Sequence, residues 1–146
     1  MLKTRVAPEL APDLLDRIRA RFVGFPLIQG WGLTIEAVAP GRATLAMPPT
    51  ERTTNGSTGV MNGGVLATLA DMACAVALST LFDGKMPFAT SDLHIRYLEP
   101  VHGPVRIEAL VIRASARTGT LECRLLCGEA IMALCTANFS IRDHKA

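Results

Sequence analysis

One acidic residue lies in the middle of a long and otherwise uncharged stretch, MNGGVLATLADMACAVALSTLF, which covers residues 61–82. This acid is Asp71, and a carboxylate so placed could act as a general base on water or as a nucleophile. An exposed helix face normally carries several Lys or Glu, whereas the neighbours of Asp71 on a helical wheel are mostly small: Gly64, Ala67, Thr68, Cys74, Ala75 and Leu78. We therefore interpret Asp71 as a candidate catalytic residue; a solvated surface acid is the alternative.

The start of this helix carries a second candidate feature, the run Asn62-Gly63-Gly64. Asn is a favoured N-cap, and the two glycines leave the first backbone N–H groups unobstructed. The positive end of a helix attracts negative charge, including the oxyanion that develops when a carbonyl is attacked. The alternative is an ordinary capped helix start in which Gly allows close packing.

The two features lie too far apart to serve one reacting group within a single chain. Gly63 and Asp71 are eight residues apart, which is on the order of 12 Å along a helix. A reacting carbonyl needs its oxyanion donor and its base each within about 3 Å. Two antiparallel copies of the helix could supply both, so a shared site predicts at least a dimer.

The remaining pattern predicts the elements that must position this helix. The first of these is an amphipathic helix over 9–22, with Pro12 in its first turn. Two strands follow, and Ala39-Pro40-Gly41 joins them as a hairpin. The stretch 48–60 has no apolar period and is expected to be a loop. Period-two segments follow the long helix: SDLHIRYLEP (91–100), PVRIEALVIRAS (104–115), GTLECRLLC (119–127) and AIMALCTANFSIRD (130–143). This order predicts a single α+β domain over 1–146, with a mainly antiparallel sheet on one dominant helix.

Composition narrows the class of protein. The formal net charge of +2 argues against a dedicated nucleic-acid binder. The four cysteines show no CxxC spacing, which indicates buried free thiols in a reducing compartment and no zinc site. The N-terminal residues carry charges throughout, which argues against a secretory leader. The 61–82 stretch is too polar for a lone membrane span. A cytoplasmic protein without membrane partners is expected.

The residues quoted above resemble a known family. MNGGVLATLADMACAVAL is similar to the HGG…LAD signature of hotdog-fold acyl-CoA thioesterases of the phenylacetate-degradation (PaaI-like) and 4-hydroxybenzoyl-CoA types. GRATLAMP and SDLHIRYLEPV resemble the strands before and after the central helix of these proteins. The resemblance implies a hotdog fold, in which a curved antiparallel sheet wraps around one long central helix. It also implies homodimers, often homotetramers, with sites at the dimer interface and no cofactor beyond the coenzyme A of the substrate.

The resemblance also assigns roles to individual positions. Gly63 matches the backbone donor that polarises the thioester carbonyl, and Asp71 matches the acid that acts from the partner subunit. Asn55 matches a loop asparagine that positions water or thioester, although its spacing to Gly63 is one residue longer. Thr90 falls where some relatives hold water with Ser or Thr. Asn62 and Gly64 are expected to contact substrate, and Arg96 and Arg117 are candidates for the phosphates of coenzyme A.

The chief departure from the family is Asn62, where His is usual. An amide cannot act as an acid or base near neutral pH, so we expect no proton transfer at this position. A non-catalytic acyl-CoA or acyl-carrier binding module is therefore the main alternative to an acyl-CoA thioesterase. A hotdog hydratase or dehydratase, and an interaction protein that docks through the Ala-rich helix, also stay open.

Overall fold

A long helix packs against one face of a curved, six-stranded antiparallel sheet in this computed structural model, which describes residues 9–142. The helices are α1 (Leu14–Val23) and α2 (Gly63–Ser79), and short 3-10 turns cover Pro26–Ile28, Gly56–Thr58 and Thr80–Phe82. The strands are β1 (Thr34–Ala39), β2 (Arg42–Met47), β3 (Phe88–Tyr97), β4 (Val105–Ala114), β5 (Thr118–Cys127) and β6 (Ala130–Ile141). Their order across the sheet is β1-β2-β4-β5-β6-β3.

The predicted elements are confirmed, and their boundaries differ at a few points. Helix α1 begins at Leu14 rather than at residue 9, because helical geometry is unfavourable for Ala11, the residue before Pro12. Strand β3 begins at Phe88 rather than at residue 91, and β5 begins at Thr118 rather than at residue 119. The last residue of the predicted final strand, Asp143, lies outside the described residues.

The core fills the space between α2 and the sheet. Leu69, Ala73 and Val76 of α2 are fully buried, together with the inward residues of the strands, such as Leu45, Ile107 and Leu121. By length and composition, residues 63–82 could cross a membrane, but more than half of this stretch is buried inside the fold, as expected of a core helix.

The open face of α2 is narrower than the helical wheel predicts. Cys74 and Leu78, which the wheel places near Asp71, are both fully buried. Both side chains contact β5, since Leu78 lies against Gly119 and Cys74 forms a hydrogen bond with Cys123. Gly64, Thr68 and Asp71 remain on the face that the sheet leaves partly open.

The two edges of the sheet differ in whether a side chain covers their backbone groups. Strand β1 forms one edge, and the Arg19 side chain of α1 donates to the backbone carbonyls of Ile35 (2.9 Å) and Glu36 (3.4 Å). Strand β3 forms the other edge, and within residues 9–142 no comparable side chain covers its unpaired backbone groups. An uncovered edge can pair with another chain, whereas a covered edge resists this.

The covered edge yields a first prediction. Replacing Arg19 by Ala should free the β1 carbonyls, lower the free energy of unfolding by about 1 kcal/mol and increase aggregation on heating. Static light scattering during a thermal ramp, with denaturant titration, measures both effects. Arg21→Ala is the matched control, because Arg21 is an exposed arginine of the same helix. Equal behaviour of the two variants would contradict a protective role of Arg19.

Candidate active site

The Asn62 side chain caps the N-terminus of α2. Its Oδ1 accepts hydrogen bonds from the N–H groups of Gly64 (2.8 Å) and Val65 (3.3 Å), and its backbone carbonyl accepts from Leu66 (3.1 Å). Gly63 is the one residue of this first turn whose N–H has no partner among the described residues. The predicted cap is therefore confirmed, and the N–H of Gly64 is already occupied by it, whereas that of Gly63 is available.

Asn62 also brings Asn55 to the helix start. Its Nδ2 donates to Asn55 Oδ1 at 2.8 Å. The loop is closed by backbone hydrogen bonds from Asn55 to Val60 (2.7 Å) and from Asn62 to Thr53 (2.8 Å). Asn55, Asn62 and Gly63 thus form one group, although the loop between them gives no periodic sequence signal.

Tyr97, at the end of β3, is a member of this group that the sequence analysis did not select. Its hydroxyl donates to the backbone carbonyl of Gly63. The ring and hydroxyl would lie 3.2–3.5 Å from a Cβ at position 63, so Tyr97 would have to shift to admit a side chain there. Burial, with a smaller contribution from Cys135, raises the pKa of the Tyr97 hydroxyl, so it stays a donor. The alternation Leu93, Ile95, Tyr97 was the available signal, since it points all three toward the helix.

A pocket of about 350 Å³ opens beside this helix terminus. Asn55 and Gly63 line it, Glu99 adds a charge, and the other walls are mainly apolar: Val60, Met61, Leu66, Tyr97, Leu98, Pro100 and Val101. An apolar pocket with a few convergent polar groups is the usual form of a small-molecule site. The arrangement suits an apolar group whose carbonyl oxygen points at backbone and amide donors.

Asp71 is partly buried and held by one hydroxyl group. Thr90 Oγ1 donates to Asp71 Oδ1 at 2.6 Å. This contact depends on a bulge in β3, where Thr90 pairs with Phe139, Asp92 pairs with Asn138, and Ser91 is the extra residue. Without the extra residue, strict alternation from Leu93 would turn Thr90 away from the helix, so the bulge aims it at Asp71.

Buried thiols lie close to Asp71 but are poor nucleophiles. Cys74 follows it by one helical turn and is fully buried, and Cys123 and Cys135 are paired across β5 and β6. The hydrogen bond with Cys74 and burial raise the pKa of Cys123, while burial, with Cys74 and Asp71, raises the pKa of Cys135 to about 12. With such pKa values Cys123 and Cys135 stay protonated near neutral pH, and Cys74 is shielded by full burial. The Asp71 carboxylate is therefore the candidate base or nucleophile.

The structure keeps the two candidate groups apart within the chain. Tyr97 contacts Gly63 at one end of β3, and Thr90 contacts Asp71 near the other. The helix geometry separates Gly63 from Asp71 by about 12 Å. Both groups nevertheless lie along the uncovered edge strand.

Neither predicted phosphate-binding arginine reaches the pocket within the chain. Arg96 alternates with Ile95 and Tyr97, so it points away from α2, and it is exposed. Arg117 lies in the turn between β4 and β5, where its carbonyl accepts from Ile141. Both assignments stay predictions.

Comparisons with known proteins agree with this architecture. The model of the thioesterase superfamily matches residues 58–132. A protein of Halobacterium salinarum named "Putative esterase" is 31% identical over 116 residues, which cover 77% of each chain. A mutant of the phenylacetic acid degradation protein PaaI from Thermus thermophilus superposes with a TM-score of 0.72 and 26% identity, over 80% of this chain and 99% of that one. PaaI of Escherichia coli superposes with a TM-score of 0.80 and 21% identity, over 92% and 96%.

The fold is therefore the hotdog fold that the resemblance implied, with a PaaI-like arrangement of helix and sheet. The chain belongs to the thioesterase superfamily, since the family match spans more than half of its length and includes all of α2. Membership in this family makes the protein a thioester hydrolase.

Proposed function

We propose that the protein is an acyl-CoA thioesterase, which hydrolyses an acyl thioester to the free acid and coenzyme A. The observation that carries this proposal is the Gly63 N–H, the first-turn donor that the Asn62 cap leaves unpaired beside an apolar pocket. An acyl group fits the apolar walls, and its thioester oxygen would accept from Gly63 and from the Asn55 amide.

The proposed reaction needs few groups, because a thioester carbonyl is already activated. Asp71 of a second subunit takes a proton from water, and the resulting hydroxide attacks the carbonyl carbon. The Gly63 N–H stabilises the oxyanion of the tetrahedral intermediate. When this intermediate collapses, the C–S bond breaks and the thiolate of coenzyme A takes up the proton held by Asp71. Direct attack by Asp71, giving a mixed anhydride that water then hydrolyses, uses the same groups.

The uncovered edge of β3 supports a site shared between subunits. Pairing of two β3 strands about a two-fold axis would lay two α2 helices antiparallel, so that the Gly63 end of each approaches Asp71 of the other. Members of this family are typically oligomeric, which agrees with such pairing. A dimer is the smallest assembly that completes the site, and a tetramer of two such dimers is compatible with it.

Two further parts of the proposal concern the charge of the substrate and the cellular location of the protein. The phosphates of coenzyme A would be met by exposed arginines outside the pocket, with Arg96 and Arg117 as the candidates. The four free cysteines suit a reducing compartment, which favours the cytoplasm.

One observation favours the alternative of a non-catalytic acyl-binding module. Both ends of the Asn62 side chain are used in structural hydrogen bonds, so it has no role in proton transfer. Hydrolysis of acyl-CoA at this site is nevertheless the better-supported proposal, because the chain belongs to the thioesterase superfamily and Thr90 holds Asp71 in a defined position that acyl binding alone does not require.

Replacing Asp71 by Asn tests the proposed base. The amide is nearly the same size but takes up no proton, so kcat for acyl-CoA hydrolysis should fall by at least about 100-fold while the oligomer persists. Thiol release from short, medium and aromatic acyl-CoAs, with sedimentation velocity, measures both properties. Asp92→Asn is the control, because Asp92 contacts Asn138 on the opposite sheet face. A kcat for Asp71→Asn close to that of the wild type would refute the assignment.

The hydrogen bond from Thr90 to Asp71 gives a separate prediction. Thr90→Val removes the hydroxyl and keeps the shape, so Asp71 loses its orientation and kcat should fall by about tenfold. Thr90→Ser retains a donor and should keep most of the activity. Steady-state kinetics of the two variants decides the point, and equal rates for Val and Ser would show that the hydroxyl is dispensable.

A further inference from the structure

The backbone of Asn55 is fixed by its own loop, and its side chain is fixed by one contact. The Asn55 N–H donates to Val60, and its carbonyl accepts from the N–H and the hydroxyl of Thr58 at 3.2 and 2.8 Å. These bonds set the position of the Asn55 Cα. The direction of the amide beyond it depends on the hydrogen bond from Asn62 at 2.8 Å.

The hydrogen bonds of Asn62 determine the orientation of the Asn55 side-chain amide. Two backbone N–H groups donate to Asn62 Oδ1, so this end must be the oxygen and the other end must be the NH₂ group. An NH₂ group can only donate, and Asn55 must therefore turn its oxygen toward it. The Asn55 Nδ2 is then the end that remains for the pocket, which Asn55 lines together with Gly63.

We propose that Asn62 is a positioning residue that orients the Asn55 amide, so that Asn55 Nδ2 donates beside the Gly63 N–H to the thioester oxygen. This inference rests on the proposed thioesterase function and assigns Asn62 a different role from substrate contact. Asn62 thus connects the helix cap to Asn55. The distance between the Gly63 N–H and Asn55 Nδ2 therefore depends on the position of the start of α2.

A double-mutant cycle with Asn62→Ser and Asn55→Ala tests the proposal. Serine is a good N-cap, so the helix start and the melting temperature should be retained, but its short hydroxyl does not replace the amide donor. Loss of an oxyanion donor costs about 100-fold in kcat, which we expect for Asn55→Ala. Asn62→Ser should lose about tenfold in kcat with little change in KM, because the donor remains present but is no longer held.

The double variant distinguishes positioning from direct contact. If Asn62 acts through Asn55, the double variant should be about as slow as Asn55→Ala alone, roughly 100-fold below the wild type. Losses that multiply to about 1,000-fold would show that Asn62 acts on the substrate independently, and a wild-type kcat for Asn62→Ser would show that it does not act at all. Either result overturns the proposal.

Side-chain amide NMR separates this inference from the proposed function. In ¹⁵N-labelled protein without substrate, Asn62→Ser should shift the Asn55 side-chain resonance and lower its order parameter. The Asn138 amide, bonded to Asp92 and Thr120 on the other sheet face, should not change and is the internal control. If no acyl-CoA is hydrolysed but the Asn55 signal responds, the thioesterase proposal fails and the orientation of Asn55 by Asn62 stands. An unchanged Asn55 signal overturns the orientation itself, whatever the activity.

Discussion

The spacing between Gly63 and Asp71 on one rigid helix is the constraint on which the rest of the site depends. An α-helix rises about 1.5 Å per residue, so eight residues hold the two groups about 12 Å apart in every folded copy of the chain. No side-chain rotation brings a carboxylate across that distance to a carbonyl held at the helix start. In the proposed mechanism a second helix therefore supplies the missing half, and the fold has to offer a surface on which two copies can meet.

Strand β3 positions both candidate groups and offers a surface on which two copies can meet. Along its length it fixes the start of α2 through Tyr97 and the acid through Thr90, and it forms the edge that no side chain of the described residues covers. The opposite edge, β1, carries the Arg19 side chain over its carbonyls. This asymmetry favours pairing through β3, the strand along which the candidate groups lie.

Periodicity predicted the parts of the fold that depend on local pattern. The alternation of Leu93, Ile95 and Tyr97 and the apolar helix 61–82 predicted a sheet packed on one helix, and the family resemblance gave the hotdog topology. Features set by contacts between distant segments were not predictable in this way. The bulge at Ser91 appears only when β3 is paired with β6, and the hydrogen bond between Asn62 and Asn55 requires the fold of the loop. Cys74 was assigned to the open face because a helical wheel does not show how far a sheet curves around the helix.

Subunit complementation tests the shared site most directly. One chain carries Asp71→Asn, and the other carries Gly63→Val, whose side chain meets the Tyr97 ring and blocks the helix start. Each variant alone should be inactive in acyl-CoA hydrolysis. After the two are unfolded together and refolded as a mixture, heterodimers contain one intact site, built from the Gly63 of one chain and the Asp71 of the other. About a quarter of wild-type activity is predicted for random pairing, since half of the dimers are mixed and each holds one of two sites. Mixed dimers that form but release no thiol would contradict a site shared between subunits.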